Sequence, residues 1–228
     1  MNTNPKKQRI VFCDFDGTIT KQETFVAMLS RFVPDKMKEF GRKLSQKQVT
    51  LREGVKGVVE SIPSRDYPAV VEFIKDREIR EGFYDFLLFL KAEEVPFVVI
   101  SGGLRDSVKT RLAPFSDYIA GIFAPEIDSS GEYLRVVSAF EEGDELLAKV
   151  RVMELFKFEE SIVIGDGITD HKIALASSVV LARDRLAQFM KQADREYILW
   201  DDFNDIREIL QNLWHKTEKD DKVGNPSP

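Results

Sequence analysis

Four short apolar segments, separated by longer amphipathic stretches, most constrain how this chain can fold. They cover residues 10–15, 96–101, 161–165 and 179–182, and they lack the alternation typical of a half-exposed strand. Such runs are expected for strands buried on both faces of a parallel sheet. The stretches between them space their apolar residues three or four positions apart, as over residues 83–90, which predicts helices. Strands that alternate with helices favour an α/β fold with a Rossmann-like parallel sheet.

The alternation is interrupted once, between residues 21 and 80, where helical patterns occur without a convincing strand. The chain of 228 residues is too long for one minimal domain and short for two. We therefore predict a core formed by residues 1–20 and 81–213, with residues 21–80 inserted as a helical cap. Alternating apolar residues around a turn predict a β-hairpin within 126–138. The polar, proline-terminated segment 214–228 is predicted to be a disordered tail.

Composition excludes several classes of function. The chain has 33 Lys and Arg against 39 Asp and Glu, a net charge of −6, so nucleic acid is not an expected partner. The single cysteine, Cys13, cannot form an intramolecular disulfide, and two histidines are too few for a Cys/His zinc site. Apolar runs stay below the roughly 20 residues that span a bilayer. A cytoplasmic protein without a membrane segment or secretion signal is expected.

Carboxylates follow two of the predicted strands. Asp14 and Asp16 flank Phe15 at the end of the first apolar segment, and Asp166 and Asp170 follow the third. The carboxyl ends of parallel strands meet at one edge of the sheet, and carboxylates gathered there repel one another unless a cation compensates them. Oxygen ligands without a His or Cys cluster are typical of Mg²⁺. The pattern predicts a magnesium site at this edge.

The second apolar segment ends in Ser101 and Gly102. A hydroxyl and backbone N–H groups at the start of a helix can hold a phosphoryl group, although the same residues can form a simple strand-to-helix turn. Lys149, on the helix that precedes the third strand, could offset charge on a transferring phosphate. A lone lysine on an amphipathic helix is otherwise a solvated surface residue.

Together, these residues resemble a known family. DFDGTIT at 14–20, SGG at 101–103, Lys149 and GDGITD at 165–170 are similar to the four ordered motifs of the haloacid dehalogenase superfamily of phosphohydrolases. The resemblance implies a Rossmann-like core. The insertion between the first two motifs resembles the helical cap of the subfamily that contains phosphoserine phosphatase.

The resemblance also implies a mechanism. Asp14 would be the nucleophile that forms an aspartyl-phosphate, and Asp16 would protonate the leaving oxygen and then activate water. Ser101 and the Gly102 N–H would hold phosphoryl oxygens. Lys149 would bridge the nucleophile and the phosphate.

The metal ligands are implied in the same way. Mg²⁺ would be held by Asp14, the backbone carbonyl of Asp16 and Asp166, and would neutralise charge on the transferring group. Asp170 would orient the metal site or Lys149.

Two resemblances bear on the substrate, a small phosphorylated metabolite. Glu23 occupies the position where phosphoserine phosphatases carry a glutamate that faces the substrate amine. Arg52 lies in a stretch, residues 51–55, that resembles one of their substrate-binding segments, with Gly54 in place of its second arginine. REGV at 52–55, IREGF at 79–83 and ARD at 182–184 instead resemble the methionine-salvage phosphatases that act on 2-hydroxy-3-keto-5-methylthiopentenyl-1-phosphate. We predict that the substrate is 2-hydroxy-3-keto-5-methylthiopentenyl-1-phosphate, with Glu23 and Arg52 as candidate binding residues.

The alternatives are a phosphoserine phosphatase-like or other small-metabolite phosphomonoesterase, a phosphomutase, and a receiver-like module that stores a phosphoryl group on Asp14. Asp16 argues against the receiver, because an acid/base beside the acyl phosphate promotes its hydrolysis. A monomer or a homodimer is expected.

Overall fold

The computed structural model describes the backbone of residues 7–223 and the side chains of residues 7–214. Its strands, numbered along the chain, are β1 (Arg9–Cys13), β2 (Phe97–Ile100), β3 (Gly121–Phe123), β4 (Glu126–Asp128), β5 (Arg135–Val137), β6 (Glu160–Gly165), β7 (Val179–Ala182) and β8 (Ile198–Leu199). Six of them form a parallel sheet in the order β3-β2-β1-β6-β7-β8. This sheet confirms the predicted α/β class.

The helices, numbered the same way, are α1 (Thr24–Phe32), α2 (Pro34–Ser45), α3 (Leu51–Val59), α4 (Tyr67–Glu72), α5 (Phe83–Ala92), α6 (Arg105–Leu112), α7 (Lys149–Met153), α8 (His171–Leu175), α9 (Asp184–Gln192) and α10 (Phe203–Val223). Helices α5, α6 and α10 cover one face of the sheet, and α7, α8 and α9 cover the other. Among the described residues, no helix is both long enough and apolar enough to cross a membrane.

Strand β1 shows why the predicted strands lack alternation. Val11 and Cys13 point into one core layer, Ile10 and Phe12 into the other, and all four side chains are buried. A central parallel strand therefore needs apolar residues at every position. The strand ends at Cys13, so the next residue lies just beyond the sheet.

The four predicted strands are confirmed, with ends shifted by at most two residues. The sequence does not predict β3 and β8, which lie at the two edges of the sheet. They contain three and two residues, which is too short for a periodic pattern to stand out from the neighbouring loops.

Helices α1 to α4 lie between β1 and β2 and confirm the helical insert. Helix α3 begins at a capping box: the Thr50 hydroxyl accepts a hydrogen bond from Glu53 N at 3.2 Å, and the Glu53 carboxylate accepts one from Thr50 N at 2.8 Å, which satisfies two backbone donors of the first turn. The insert has its own apolar cluster, formed by Met28, Leu29, Phe40, Val58, Val59, Ile62 and Val70.

The predicted hairpin is confirmed as the antiparallel pair β4 and β5. It packs against the insert, because Leu134 and Val136 belong to the insert's apolar cluster. Leu134 N donates to Ile62 O at 3.0 Å, and Val136 N donates to the Glu60 carboxylate at 3.1 Å. The hairpin is thus the part of the core against which the end of α3 packs.

The two segments that join the insert to the core pair with each other. Thr20 and Ile79 form an antiparallel bridge, and Lys21 N donates to Glu78 O at 3.0 Å. The Lys21 side chain also bonds the Glu78 carboxylate at 2.5 Å. These contacts lie at both ends of the predicted cap, 21–80, whose exact limits stay a prediction.

The last helix reaches further than the sequence predicts. Trp214, the first residue of the predicted tail 214–228, is buried and stacks on Phe89 with ring centres 5.3 Å apart. Helix α10 continues through Val223, over a segment that contains three lysines, which are good helix formers. Residues 224–228 lie outside the described residues.

Candidate active site

The ends of three neighbouring strands bring the predicted site residues together. Asp14 follows β1, Ser101 follows the end of β2, and Asp166 follows β6, and β1 lies between the other two strands. Asp14 N donates to Ile164 O at 2.9 Å, which fixes the start of the loop after β1 against β6. The site therefore lies at the edge of the sheet where open α/β folds bind ligands.

Lys149 is the cation at the centre of this site. Its Nζ lies 2.5 Å from Asp14 Oδ1 and 2.5 Å from Asp170 Oδ1, and its side chain is 3% exposed. Burial disfavours the ammonium group, but the carboxylates of Asp14 and Asp170 outweigh burial and raise the pKa of Lys149 above its ordinary value. Lys149 is therefore charged at neutral pH and holds both carboxylates in place.

One lysine does not neutralise the surrounding acids. Burial raises the pKa of Asp14 well above its ordinary value; Lys149 opposes this shift, and Asp170 and Asp166 add to it. Burial also raises the pKa of Asp166 to about 6, although the Thr18 hydroxyl, which donates to it at 2.6 Å, opposes the shift. A cation bound among these groups would relieve their repulsion.

The carboxylates of Asp14, Asp166 and Asp170 form a group that could hold such a cation. One oxygen from each lies within 4.8 Å of the others, and all three residues are buried. The donors are hard oxygen atoms, the kind that Mg²⁺ prefers. This arrangement is consistent with a metal site. Asp170 is also fixed from behind, because it accepts hydrogen bonds from the backbone N–H groups of Asp166 at 3.3 Å and Gly167 at 3.0 Å.

Gly17 allows the loop after β1 to approach this group. Its φ of +81° lies in the left-handed region, where glycine is favoured. A Cβ atom at this position would lie 2.5 Å from Asp166 Oδ2, which is closer than atoms can approach. A side chain at residue 17 would thus push the loop away from Asp166.

The Asp16 carboxylate points away from this group and towards the insert. Its Oδ1 accepts hydrogen bonds from Thr24 N and Phe25 N, both at 3.1 Å, and from the Thr24 hydroxyl. Burial raises the pKa of Asp16, and these hydrogen bonds oppose the shift. The carboxylate thus caps the N-terminus of α1, where a negative charge is favoured. Its predicted metal contact through the backbone carbonyl stays a prediction.

Ser101, Gly102 and Gly103 form a bend beside Asp16. Gly103 N donates to Ser101 Oγ at 3.0 Å, and Ser101 Oγ lies 3.5 Å from Asp16 Oδ2. A Cβ atom at Gly103 would lie 2.9 Å from Asp16 Oδ2, whereas one at Gly102 would meet no atom within 4 Å. The space beside Gly102 is therefore open to a ligand.

The two predicted cap residues differ in position. Glu23 precedes α1; partial desolvation, with the nearby carboxylates of Asp166 and Asp16, raises its pKa to about 7. It thus lies within electrostatic reach of the site. Arg52 lies in α3, and its backbone N–H donates to Asp144 O at 3.3 Å, on a core loop. Their roles as substrate ligands stay predictions.

Three residues outside the predicted set also shape the site. They are Thr18, which bonds Asp166; Thr24, which bonds Asp16; and Arg80, which bonds the loop after β1. Thr18 lies inside the first motif, which could therefore have indicated it as a site residue. The role of Thr24 and Arg80 depends on where the insert folds back, which no local pattern indicates.

The raised carboxyl pKa values predict how the stability of the metal-free protein depends on pH. A carboxyl group with a higher pKa in the folded protein stabilises the fold fully below its unfolded pKa, and this contribution is lost as the pH rises through the folded pKa. Asp166, at about 6, and Glu23, at about 7, place the loss between pH values of about 4 and 7. We expect the titration of Asp166 to lower the free energy of unfolding by on the order of 3 kcal/mol over this interval. Urea unfolding in the presence of EDTA measures the change.

Asp166→Asn removes this titration and should flatten the pH dependence. The matched control Asp85→Asn, an exposed carboxylate on α5, should leave it unchanged. A free energy of unfolding that rises over the same interval would contradict the prediction.

The sequence as a whole matches proteins of known class. The family model for haloacid dehalogenase-like hydrolases matches residues 8–177. A 2-hydroxy-3-keto-5-methylthiopentenyl-1-phosphate phosphatase of Microcystis aeruginosa is 40% identical over 204 residues, which cover 89% of this chain and 97% of that protein. The similarity therefore includes both the core and the insert.

Solved structures share the fold. A phosphoserine phosphohydrolase-like protein from Francisella tularensis aligns with a TM-score of 0.67 and 19% identity, covering 88% of this chain and 99% of that one. A phosphoserine phosphatase with an analogue of the phospho-aspartyl intermediate aligns with a TM-score of 0.66 and 19% identity, covering 91% and 99%. At this identity, the similarity concerns the fold alone.

Proposed function

The chain belongs to the haloacid dehalogenase-like hydrolases, and we propose that it is a Mg²⁺-dependent phosphatase that hydrolyses 2-hydroxy-3-keto-5-methylthiopentenyl-1-phosphate in methionine salvage. The contact that carries the chemistry is the 2.5 Å bond from Lys149 Nζ to Asp14 Oδ1, because it orients a buried carboxylate for attack. The substrate is supported by the 40% identity with the Microcystis phosphatase over nearly its whole length.

In the first half of the reaction, Asp14 attacks phosphorus and an aspartyl-phosphate forms as the ester oxygen leaves. Lys149 holds Asp14 in the attacking orientation and offsets negative charge on the phosphoryl group. The space beside Gly102 is open, and we propose that Ser101 Oγ and the Gly102 N–H donate hydrogen bonds to phosphoryl oxygens there.

Asp16 provides the proton. Burial raises its pKa, which favours the protonated form that can donate to the leaving oxygen. Its Oδ1 accepts hydrogen bonds from the first turn of α1, whereas its Oδ2 lies 3.5 Å from Ser101 Oγ, the proposed phosphoryl ligand. In the second half, the carboxylate takes a proton from the water that attacks the aspartyl-phosphate.

The donor set fits a bound magnesium ion. Asp14, Asp166 and the backbone carbonyl of Asp16 would hold it, and Asp170 would orient Lys149, to which it is bonded. Bound there, the ion would neutralise charge on the transferring phosphoryl group.

A narrow cavity between insert and core supports a substrate with an apolar tail. It reaches Asp16 and has room for about one water molecule in this structure, so a tail can enter only if α1 and α4 move away from α6. The Ser107 hydroxyl in its wall is buried without a hydrogen-bond partner. The other walls are mostly apolar: Phe25, Met28, Val70, Ile74, Leu104 and Val108.

Comparison of three phosphate esters tests the substrate. We expect the methylthio ester to exceed an analogue without the methylthio group by about 10- to 200-fold in kcat/KM, the range for loss of a small apolar group from a pocket. Phosphoserine should be hydrolysed less efficiently still. Release of inorganic phosphate is the measurement.

Other outcomes would overturn this proposal. Preference for phosphoserine would favour the alternative in which Glu23 faces a substrate amine. An isomeric phosphate ester as product would indicate a phosphomutase, and a long-lived aspartyl-phosphate would indicate a receiver-like module.

We place the enzyme in the cytoplasm, as the sequence predicts, and its state as monomer or homodimer stays a prediction.

A further inference from the structure

Arg80 lies in the segment that returns from the insert to the core, and its guanidinium group is turned inward. The residue is 9% exposed. Its Nη2 donates to Gly17 O at 2.6 Å, and its Nε donates to Thr18 O at 2.9 Å. A longer bond of 3.4 Å joins Nη1 to Asp201 O. One side chain thus holds two successive carbonyl groups of the loop after β1.

That loop carries the reacting groups. Gly17 and Thr18 directly follow Asp16, and Thr18 Oγ1 bonds Asp166. Two side chains therefore hold the loop: that of Asp166, which belongs to the site, and that of Arg80, which lies in the segment that returns from the insert. Gly17, which approaches Asp166 in a left-handed conformation, has no side chain of its own to restrain it.

The contacts suit arginine in particular. The planar guanidinium presents several N–H groups in a fixed fork, whereas a lysine ammonium is a single flexible point charge. Arg80 also lies over the ring of Trp200, 5.3 Å from its centre, which restrains the fork. Burial lowers the pKa of Arg80, an effect that the positive charge of Arg183 increases and the negative charge of Asp166 opposes.

The backbone of the same residue connects the loop to the insert. Arg80 N donates to Ile19 O at 2.9 Å, next to the bridge between Thr20 and Ile79. Any movement of the insert relative to the core must change the geometry of these paired segments. A guanidinium group anchored in the core at this point can keep the loop in place while the insert moves.

We propose that Arg80 is a positioning residue that holds the loop of Asp14 and Asp16 in its reactive geometry through the carbonyl groups of Gly17 and Thr18. The inference rests on the proposed phosphatase activity but not on its natural substrate. In this proposal, Arg80 does not contact the reacting phosphate.

The matched control is Arg183. It also lies over the Trp200 ring, at 5.1 Å, and its Nη1 donates to Asp201 O at 2.9 Å, so it shares two of the contacts of Arg80. It makes no described hydrogen bond to Gly17 or Thr18. A difference between Arg80→Gln and Arg183→Gln therefore reports on the loop contacts.

The test uses hydrolysis of p-nitrophenyl phosphate, so a wrong natural substrate would leave it intact. For Arg80→Gln, we expect kcat to fall by about 100-fold, the loss that follows from a displacement of about 1 Å in the reacting groups, with little change in KM. Arg183→Gln should keep kcat within about threefold. Arg80→Lys should recover little, and millimolar guanidinium, but not urea, should partly restore activity to Arg80→Ala.

The readouts separate positioning from stability. Thermal unfolding gives the folded fraction by which each kcat is corrected. A corrected kcat near the wild-type value for Arg80→Gln, a rise in KM alone, or equal rescue by urea would overturn the proposal. Failure of all Arg80 variants to fold, when Arg183→Gln folds, would assign Arg80 a structural role only and overturn it as well.

Discussion

Replacement of Asp14 by asparagine should reduce kcat for an aryl phosphate by about 10⁴- to 10⁶-fold, the range seen when one member of a catalytic triad is removed. The amide has the shape of the carboxylate and can still accept a hydrogen bond from Lys149, but its oxygen is a poor nucleophile and cannot form the aspartyl-phosphate. Release of inorganic phosphate under saturating substrate measures the loss.

The fold should survive this substitution, because it removes a negative charge that the site tolerates poorly. Burial and two neighbouring carboxylates raise the pKa of Asp14, so the free energy of unfolding of the metal-free protein should be unchanged or higher in Asp14→Asn. Asp85→Asn, on the surface of α5, serves as control and should retain full activity. Turnover by Asp14→Asn within tenfold of wild type would refute the aspartyl-phosphate mechanism.

The residues at the strand ends were predictable because their position depends on local sequence. Asp14, Ser101 and Asp166 each lie at the end of an apolar run that is typical of a buried strand, and parallel strands bring their carboxyl ends to one edge. The identity of the groups at that edge then indicates the chemistry. No knowledge of the tertiary contacts is needed for this step.

Lys149 shows where this reasoning stops. By its helix position alone, it resembles a surface lysine, yet it is buried and bonds Asp14, which is 135 positions away in the chain. The resemblance to a family suggested its role, and only the packing of α7 against the sheet gives it two carboxylate partners. Local patterns cannot contain this information, because the partners lie beyond the ends of β1 and β6.

The insert was predictable as a set of helices but not in its connection to the site. The hydrogen bonds from Thr24 and Phe25 to Asp16 arise because α1 begins directly above the loop after β1. The same holds for Arg80, whose partners lie 62 and 63 positions away. These contacts link the insert to Asp16, Gly17 and Thr18 in the loop after β1, so the position of the insert affects Asp16 directly.

Replacement of Lys149 by methionine should reduce both activity and stability. Loss of a preorganised group that stabilises transition-state charge costs about 10²- to 10³-fold in kcat, measured with saturating aryl phosphate. Methionine has a similar length but no charge, which leaves Asp14 and Asp170 without their common partner. Breaking a buried ion pair on one side costs about 3–5 kcal/mol, measured by urea unfolding in EDTA.

Lys172→Met is the matched control. Lys172 bonds Glu145 at 2.6 Å, but its side chain is 44% exposed, so its loss should cost at most about 1 kcal/mol and leave kcat unchanged. Equal effects of the two substitutions on stability would show that burial of Lys149 carries no energetic weight.

A double variant separates the two roles of Lys149. In Lys149→Met with Asp170→Asn, one unpaired buried carboxylate is removed, so part of the lost stability should return, whereas activity should not. The stability deficit of the single variant should also shrink as the pH falls from about 8 to about 5, because carboxyl groups with raised pKa values take up protons and lose their repulsion. Recovery of activity together with stability would mean that Lys149 supports the fold of the site and takes no part in phosphoryl transfer.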